Sequence, residues 1–210
     1  MKRFQLTSIY TIVFLLIVMS GSAQDTSLVR LDKYLSGIHY ELKYATTDNF
    51  MNERLYPRNT KPWLRKAAAD SLLKVQQELS LNNLELKIFD AYRPWSVTNR
   101  MWEKVKDDRY AADPKKGSNH NRGIAVDLTI VDQKTGNEWN MGTGFDNFSD
   151  SAHHDFKNLP DDILQKRKFL RAVMEKHGFK ALETEWWHYS LKDGANFRIL
   201  DSSFDELKRK

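Results

Sequence analysis

Apolar and polar residues alternate through Ile38-His39-Tyr40-Glu41-Leu42-Lys43-Tyr44, which puts Ile38, Tyr40, Leu42 and Tyr44 on one face and predicts a half-buried strand. The residues that follow, through Pro57, read as loop. From Leu64 to Ser80 the period lengthens: Leu64, Ala68, Leu72, Val75 and Leu79 recur at helical spacing behind Pro62, predicting an amphipathic helix that ends near Asn82-Asn83. Alternation returns as Leu84, Leu86 and Ile88 against Glu85 and Lys87. This strand ends in Asp90-Ala91-Tyr92-Arg93-Pro94, where the proline stops it and holds Arg93 extended. Ser96 is placed to cap a helix striped by Val97, Met101 and Val105, with Trp102 beside the stripe, and the charged run Asp107-Asp108-Arg109 beyond it is expected to be solvated.

A second strand is predicted over Ile124 to Val131, with Ile124, Val126, Leu128 and Ile130 on one face and Ala125, Asp127 and Thr129 on the other. Gly136 marks a turn after it. Pro160 opens a helix with Ile163, Leu164, Leu170, Val173, Met174 and His177 inward and Gly178 at its end. Phe179 to Leu191 reads as the closing strand, and the charged tail from Asp201 to Lys210 is expected to fray. Helices and strands alternate without repeats, low-complexity blocks or a domain boundary, and the hairpin-like turn after Val131 favours an antiparallel or mixed sheet. The expected class is therefore α+β: a single domain with a central, mainly antiparallel sheet flanked by helices and a site in a cleft on the sheet.

Composition changes this picture at one end. Met1-Lys2-Arg3, the apolar run Ile9 to Met19 and then Ser20-Gly21-Ser22-Ala23 have the basic, apolar and small-residue order of a secretory signal peptide. The apolar run is about half the ~20 residues needed to span a bilayer. Residues 1–23 are thus expected to be removed, leaving residues 24–210 as one exported domain, periplasmic or extracellular, without stable membrane insertion. At 40 % hydrophobic residues, the 210-residue chain can bury one sizeable core, and with no cysteine no disulfide staples it. The net charge of +5 falls to +3 without Lys2 and Arg3. That is too small an excess, with no basic stripe interleaved with aromatics, to argue for nucleic acid.

The candidate chemistry lies in two stretches. Ser118-Asn119-His120-Asn121-Arg122-Gly123-Ile124-Ala125-Val126-Asp127 sets out a histidine and an aspartate, and Glu185-Trp186-Trp187-His188 adds a second histidine and a carboxylate. A hydrolytic zinc site needs three protein ligands and an open position, and without cysteine only imidazole and carboxylate can serve. His120, Asp127 and His188 are the expected ligands of one zinc ion, with Glu185 standing off the metal as general base. Residues three apart on an ideal strand face opposite sides, so Glu185 and His188 can share a site only through a bulge, a bend or a turn. Arg93, at a strand end, either stabilises an oxyanion or clamps a carboxylate, or it simply pairs with Asp90. Asp146, in Met141-Gly142-Thr143-Gly144-Phe145-Asp146, could bind a cation or an ammonium or cap a turn, and His153-His154 reads as structural or surface.

The motifs Tyr40-Glu41-Leu42-Lys43-Tyr44-Ala45-Thr46-Thr47-Asp48-Asn49-Phe50, Asp90-Ala91-Tyr92-Arg93-Pro94, the Ser118 to Thr129 stretch, the Met141 to Asp146 loop and Glu185-Trp186-Trp187-His188-Tyr189 together resemble the D-alanyl-D-alanine dipeptidases, zinc peptidases related to the D,D-carboxypeptidases. The resemblance runs in order through nearly all of the mature chain. It implies zinc on His120, Asp127 and His188, Glu185 as the base, Arg93 on the oxyanion, Asp146 on the free ammonium of the small dipeptide D-Ala-D-Ala, and Ser118 close to the substrate. Two alternatives remain at this level: a D,D- or L,D-carboxypeptidase acting on muropeptides, and a non-catalytic wall-binding domain with structural zinc, in which Glu185 and Arg93 would have no purpose.

Overall fold

The computed structural model describes residues 27–107 and 111–209. The chain runs through β1 (Leu28–Arg30), α1 (Leu31–Tyr34), β2 (His39–Tyr40), β3 (Trp63–Arg65), α2 (Lys66–Ser80), β4 (Leu84–Asp90), α3 (Trp95–Val105), β5 (Ala125–Asp132), α4 (Asp161–Lys176), β6 (Phe179–Leu182), β7 (Glu185–Leu191) and α5 (Phe204–Lys208). A five-stranded sheet has the order β2-β4-β5-β7-β6, antiparallel except that β2 runs parallel to β4, and β1 pairs with β3 in a separate antiparallel ribbon. This is the expected α+β class with a mainly antiparallel sheet.

The sheet exists because its central strand is apolar on one face and closed on the other. Val126, Leu128 and Ile130 of β5 are fully buried together with Leu86 and Ile88 of β4. The expected stripe of α2, Ala68, Leu72, Val75 and Leu79, is buried in the same core, and α4 adds Leu170, Val173 and Met174. One polar side chain is folded into this layer: Gln76 on α2 accepts the Leu86 amide at 2.9 Å, so its burial leaves no unmet acceptor.

Several boundaries differ from the pattern-based expectation, each for a tertiary reason. The alternating segment Ile38 to Tyr44 is strand only at His39–Tyr40; the chain then tightens into a 3-10 turn at Lys43–Ala45 that buries Tyr44. Helix α2 begins at Lys66, because Trp63–Arg65 pair with Leu28–Arg30. Ser96 caps nothing: Pro94 occupies the cap position, and the Ser96 amide donates to the Asp201 carboxylate at 2.8 Å. Of the charged run, Asp107 is half-buried, and Asp108 and Arg109 lie outside the described residues. Phe179 to Leu191 is a hairpin, β6 and β7, rather than one strand. The tail does not fray at once: Ser203 and Glu206 form a capping box that starts α5, and Phe204 packs against Tyr56 and Tyr92. The expected signal peptide lies outside the described residues, among which no helix is long and apolar enough to cross a membrane.

Candidate active site

Three neighbouring strands carry acids and imidazoles to one end of the sheet. In the β4–β5 ladder Asp90 is paired with Asp127, and in the β5–β7 ladder Asp127 is paired with His188, so the three residues stand side by side. The register shift between Ile88 and Asp90 places this row: a bulge inserts an extra residue and re-aims the strand end. His120 enters from the turn before β5. There Asn121 bonds the Arg93 carbonyl at 2.9 Å and Thr98 at 2.8 Å, Ser118 accepts the His120 amide at 3.1 Å, and Gly123 holds a φ of 69° that a side chain would resist.

His120, Asp127 and His188 each present a ligand atom within 4.8 Å of the other two. Nε2 of His120 lies 3.2 Å from Nδ1 of His188 and 3.3 Å from Asp127, and Nδ1 of His188 lies 2.9 Å from the same carboxylate. Nδ1 of His120 is 2.7 Å from the Ala91 carbonyl, which can only accept, so that nitrogen carries the proton and Nε2 offers a lone pair to the cluster. Burial works to raise the Asp127 pKa, but the two imidazoles outweigh it and hold the carboxyl below its usual range. Two imidazole nitrogens and an ionised carboxylate turned on one point form a donor set that fits zinc.

Glu185 is the first residue of β7, opposite the irregularity between Ala181 and Leu182. That position satisfies the geometric requirement set by the sequence: its carboxylate comes within 3.9 Å of Nδ1 of His188 without being a fourth member of the trio. Burial above all, with Asp127 adding to it, pushes the Glu185 pKa up to about 7, against the opposing effects of His188, Arg93 and the Trp187 indole. Such a carboxyl can take and return a proton near neutrality.

Arg93 pairs with Asp90, one of the readings made from its sequence. Nε and Nη2 bond one oxygen of fully buried Asp90 at 3.0 and 2.7 Å, Tyr56 donates to the other at 2.8 Å, and the guanidinium lies 4.9 Å from the centre of the Tyr44 ring. It nonetheless lines the pocket. Asp146 faces it from the loop before α4, held in the left-handed region at φ 57°. The Tyr44 hydroxyl donates to both Asp146 oxygens at 3.1 and 3.2 Å, and the Phe50 amide approaches at 3.5 Å. Burial first, then the charges of Asp127 and Glu185, raise the Asp146 pKa well above the ordinary carboxylate range.

All seven residues singled out in the sequence, Arg93, Ser118, His120, Asp127, Asp146, Glu185 and His188, line one pocket of about 270 Å³. His153 and His154 lie outside it. Sequence reasoning missed Tyr44 and Tyr56 and saw Asp90 only as a competitor for Arg93. The one signal for Tyr44 was its place in the alternating segment, where it looked like a core position.

The family model for D-ala-D-ala dipeptidases, a peptidase family, matches residues 24–209. A D-alanyl-D-alanine dipeptidase of Escherichia coli is 36 % identical over 182 residues, covering 87 % of this chain and 93 % of that one. Another, of Enterococcus faecium, is 32 % identical over 183 residues, covering 78 % and 90 %. Among solved structures, the LdcB LD-carboxypeptidase aligns with a TM-score of 0.46 at 19 % identity, over 84 % of this chain and 74 % of that one.

Proposed function

The chain belongs to the D-alanyl-D-alanine dipeptidase family and is a metallopeptidase, and from that premise we propose that it hydrolyses free D-Ala-D-Ala to two D-alanines, with one zinc ion on His120, Asp127 and His188. The observation that carries this reading is the meeting of that donor trio with Glu185, Arg93 and Asp146 in a single small pocket. When bound, zinc supplies Lewis acidity, polarising the scissile carbonyl and acidifying water. Every other role falls to the chain. Glu185, with its pKa lifted to about 7, takes the proton of the attacking water and returns it to the leaving amine. Arg93, kept in place by Asp90, Tyr56 and the Tyr44 ring, faces the oxyanion as it forms.

Asp146 selects the length of the substrate. A buried carboxylate with two neighbouring acids welcomes a cation, and the free ammonium of a dipeptide is one. An acylated or longer peptide leaves that carboxylate without its partner, at a cost of order 1–3 kcal/mol. This favours the dipeptidase over a carboxypeptidase, and a base and an arginine at the pocket wall favour an enzyme over a wall-binding domain. Ser118 lines the same pocket, which supports a role in binding the substrate. The order of residues 1–23 supports export, so the substrate is free dipeptide or wall-derived peptide outside the cytoplasm, met in scavenging or wall turnover.

The deciding experiment compares D-Ala-D-Ala with an N-acetylated tripeptide ending in D-Ala-D-Ala, using zinc-loaded and chelated protein. D-Alanine release from the free dipeptide alone, abolished by chelation, is expected. Preference for the blocked peptide makes the protein a wall carboxypeptidase, and turnover of neither returns the wall-binding reading.

A further inference from the structure

Where α4 packs on the β6–β7 hairpin, three buried polar atoms have no hydrogen-bond partner: Nη2 of Arg167, the Tyr189 hydroxyl and Nε2 of His154. They belong to neighbouring side chains from three separate elements. The His154 and Tyr189 rings are 6.2 Å apart, Nη1 of Arg167 donates to the carbonyl of His153 at 3.1 Å, and the charge of Arg167 is felt by both His154 and Tyr189. Arg167 is only 3 % exposed and Tyr189 fully buried. None of the three lines the catalytic pocket.

Arg167 is the anomaly. Its Nε donates to the Met141 carbonyl at 2.7 Å and its guanidinium lies 6.0 Å from the centre of the Trp186 ring, yet no carboxylate among the described residues pairs with it. The two nearby acids, Glu175 and Glu183, are engaged by Arg171 at the surface. A buried cation without a counter-ion is costly, and a buried donor without an acceptor adds to that cost. All three unmet atoms can donate at once: Nη2 only donates, the phenol has its proton free, and burial with the nearby Arg171 keeps the His154 pKa down to about 4, so its neutral ring can carry the proton on Nε2.

We propose that Arg167, Tyr189 and His154 hold a small monoanion of the size and charge of chloride between α4 and the β6–β7 hairpin. A water molecule would meet the hydrogen bonds but bring no charge to the guanidinium. The anion ties together three segments that the catalytic site depends on: Tyr189 follows His188, and Arg167 anchors the first residue of the Met141 to Asp146 loop. The inference is independent of which peptide the enzyme cleaves.

The test is thermal unfolding of the full zinc-loaded chain in sodium chloride against sodium gluconate at equal ionic strength, together with crystals grown in bromide. Chloride is expected to raise the midpoint by roughly 3–5 °C for each tenfold increase above its Kd, Tyr189→Phe to blunt that rise, and bromide to give an anomalous peak beside Arg167. Coincident curves in the two salts, a chloride effect undiminished in Tyr189→Phe, or a bromide map without a peak there would each overturn the proposal. The map uses the unmodified protein, so the decision does not hang on a variant that fails to fold.

Discussion

The two walls of the pocket are built differently. On one, Asp127 and His188 are cross-strand partners on two interior strands of the sheet, and His120 is pinned by the turn that leads into it. On the other, Asp146 stands on a loop in a left-handed conformation that costs a non-glycine residue about 1 kcal/mol or more, and it is kept there by Tyr44 and Phe50 from a second loop. In the proposed mechanism the strand wall fixes the chemistry to within the tolerance of a ladder, and the loop wall fixes who enters. Changes on the first wall should therefore act on turnover, and changes on the second on substrate choice.

The largest effect is expected on the strand wall. Glu185→Gln keeps shape and leaves the His120, Asp127 and His188 trio intact, so zinc content should stay at one per chain while kcat for D-Ala-D-Ala falls by about 10²–10⁴. Loss of zinc along with activity would show Glu185 to be a ligand instead of a base. Arg93→Lys comes next. Lysine cannot reproduce the guanidinium fork on Asp90, so kcat should fall by about 10²–10³. Because Asp90 is fully buried, weakening that pair should also lower the denaturant midpoint. A drop in midpoint with kcat preserved would reduce Arg93 to a structural role.

On the loop wall, Asp146→Asn should lower kcat/KM for the free dipeptide by about 10–100-fold, mostly through KM, while leaving or improving the N-acetylated peptide. Equal losses on both substrates would mean that the loop positions the metal side after all, and the contrast between the walls would fail.

The same contrast explains what was legible in the sequence. His120, Asp127 and His188 could be picked out because a zinc site without cysteine is limited to imidazole and carboxylate, and Glu185 because a hydrolytic site also needs a carboxylate off the metal; the structure brings all four to one pocket. The strand register that aligns Asp127 with His188, and the irregularity that brings Glu185 round, could be stated only as a requirement. Tyr44 is buried, as the alternation predicts, but a period of two shows only which face a side chain takes, not that the strand stops at Tyr40 and turns the phenol onto an acid about a hundred residues away. Arg167 gives no signal in the sequence, since helical periodicity offers no reason to bury an arginine. The start of α2 and the order of the tail failed for a similar reason: β1 and the Tyr56–Tyr92 surface are long-range partners that local pattern does not encode.

Tyr44 touches both walls, and it gives the finest test. Its hydroxyl serves Asp146, while its ring lies under the Arg93 guanidinium and meets Phe50, Tyr56 and Phe145 edge-on. Tyr44→Phe removes the first contact and keeps the second. One hydrogen bond to a charged acceptor is worth roughly 1.5–3 kcal/mol, but the Asp146 carboxylate keeps the substrate ammonium as a partner, so the net loss should sit at or below the low end, about 3–10-fold in KM with kcat nearly unchanged. Tyr44→Leu removes both contacts, and the cation–π part, about 0.5–2 kcal/mol, should then appear in kcat as Arg93 loosens. If Phe and Leu variants differ in KM and not in kcat, the ring does nothing for Arg93, and the strand wall holds its arginine through Asp90 and Tyr56 alone.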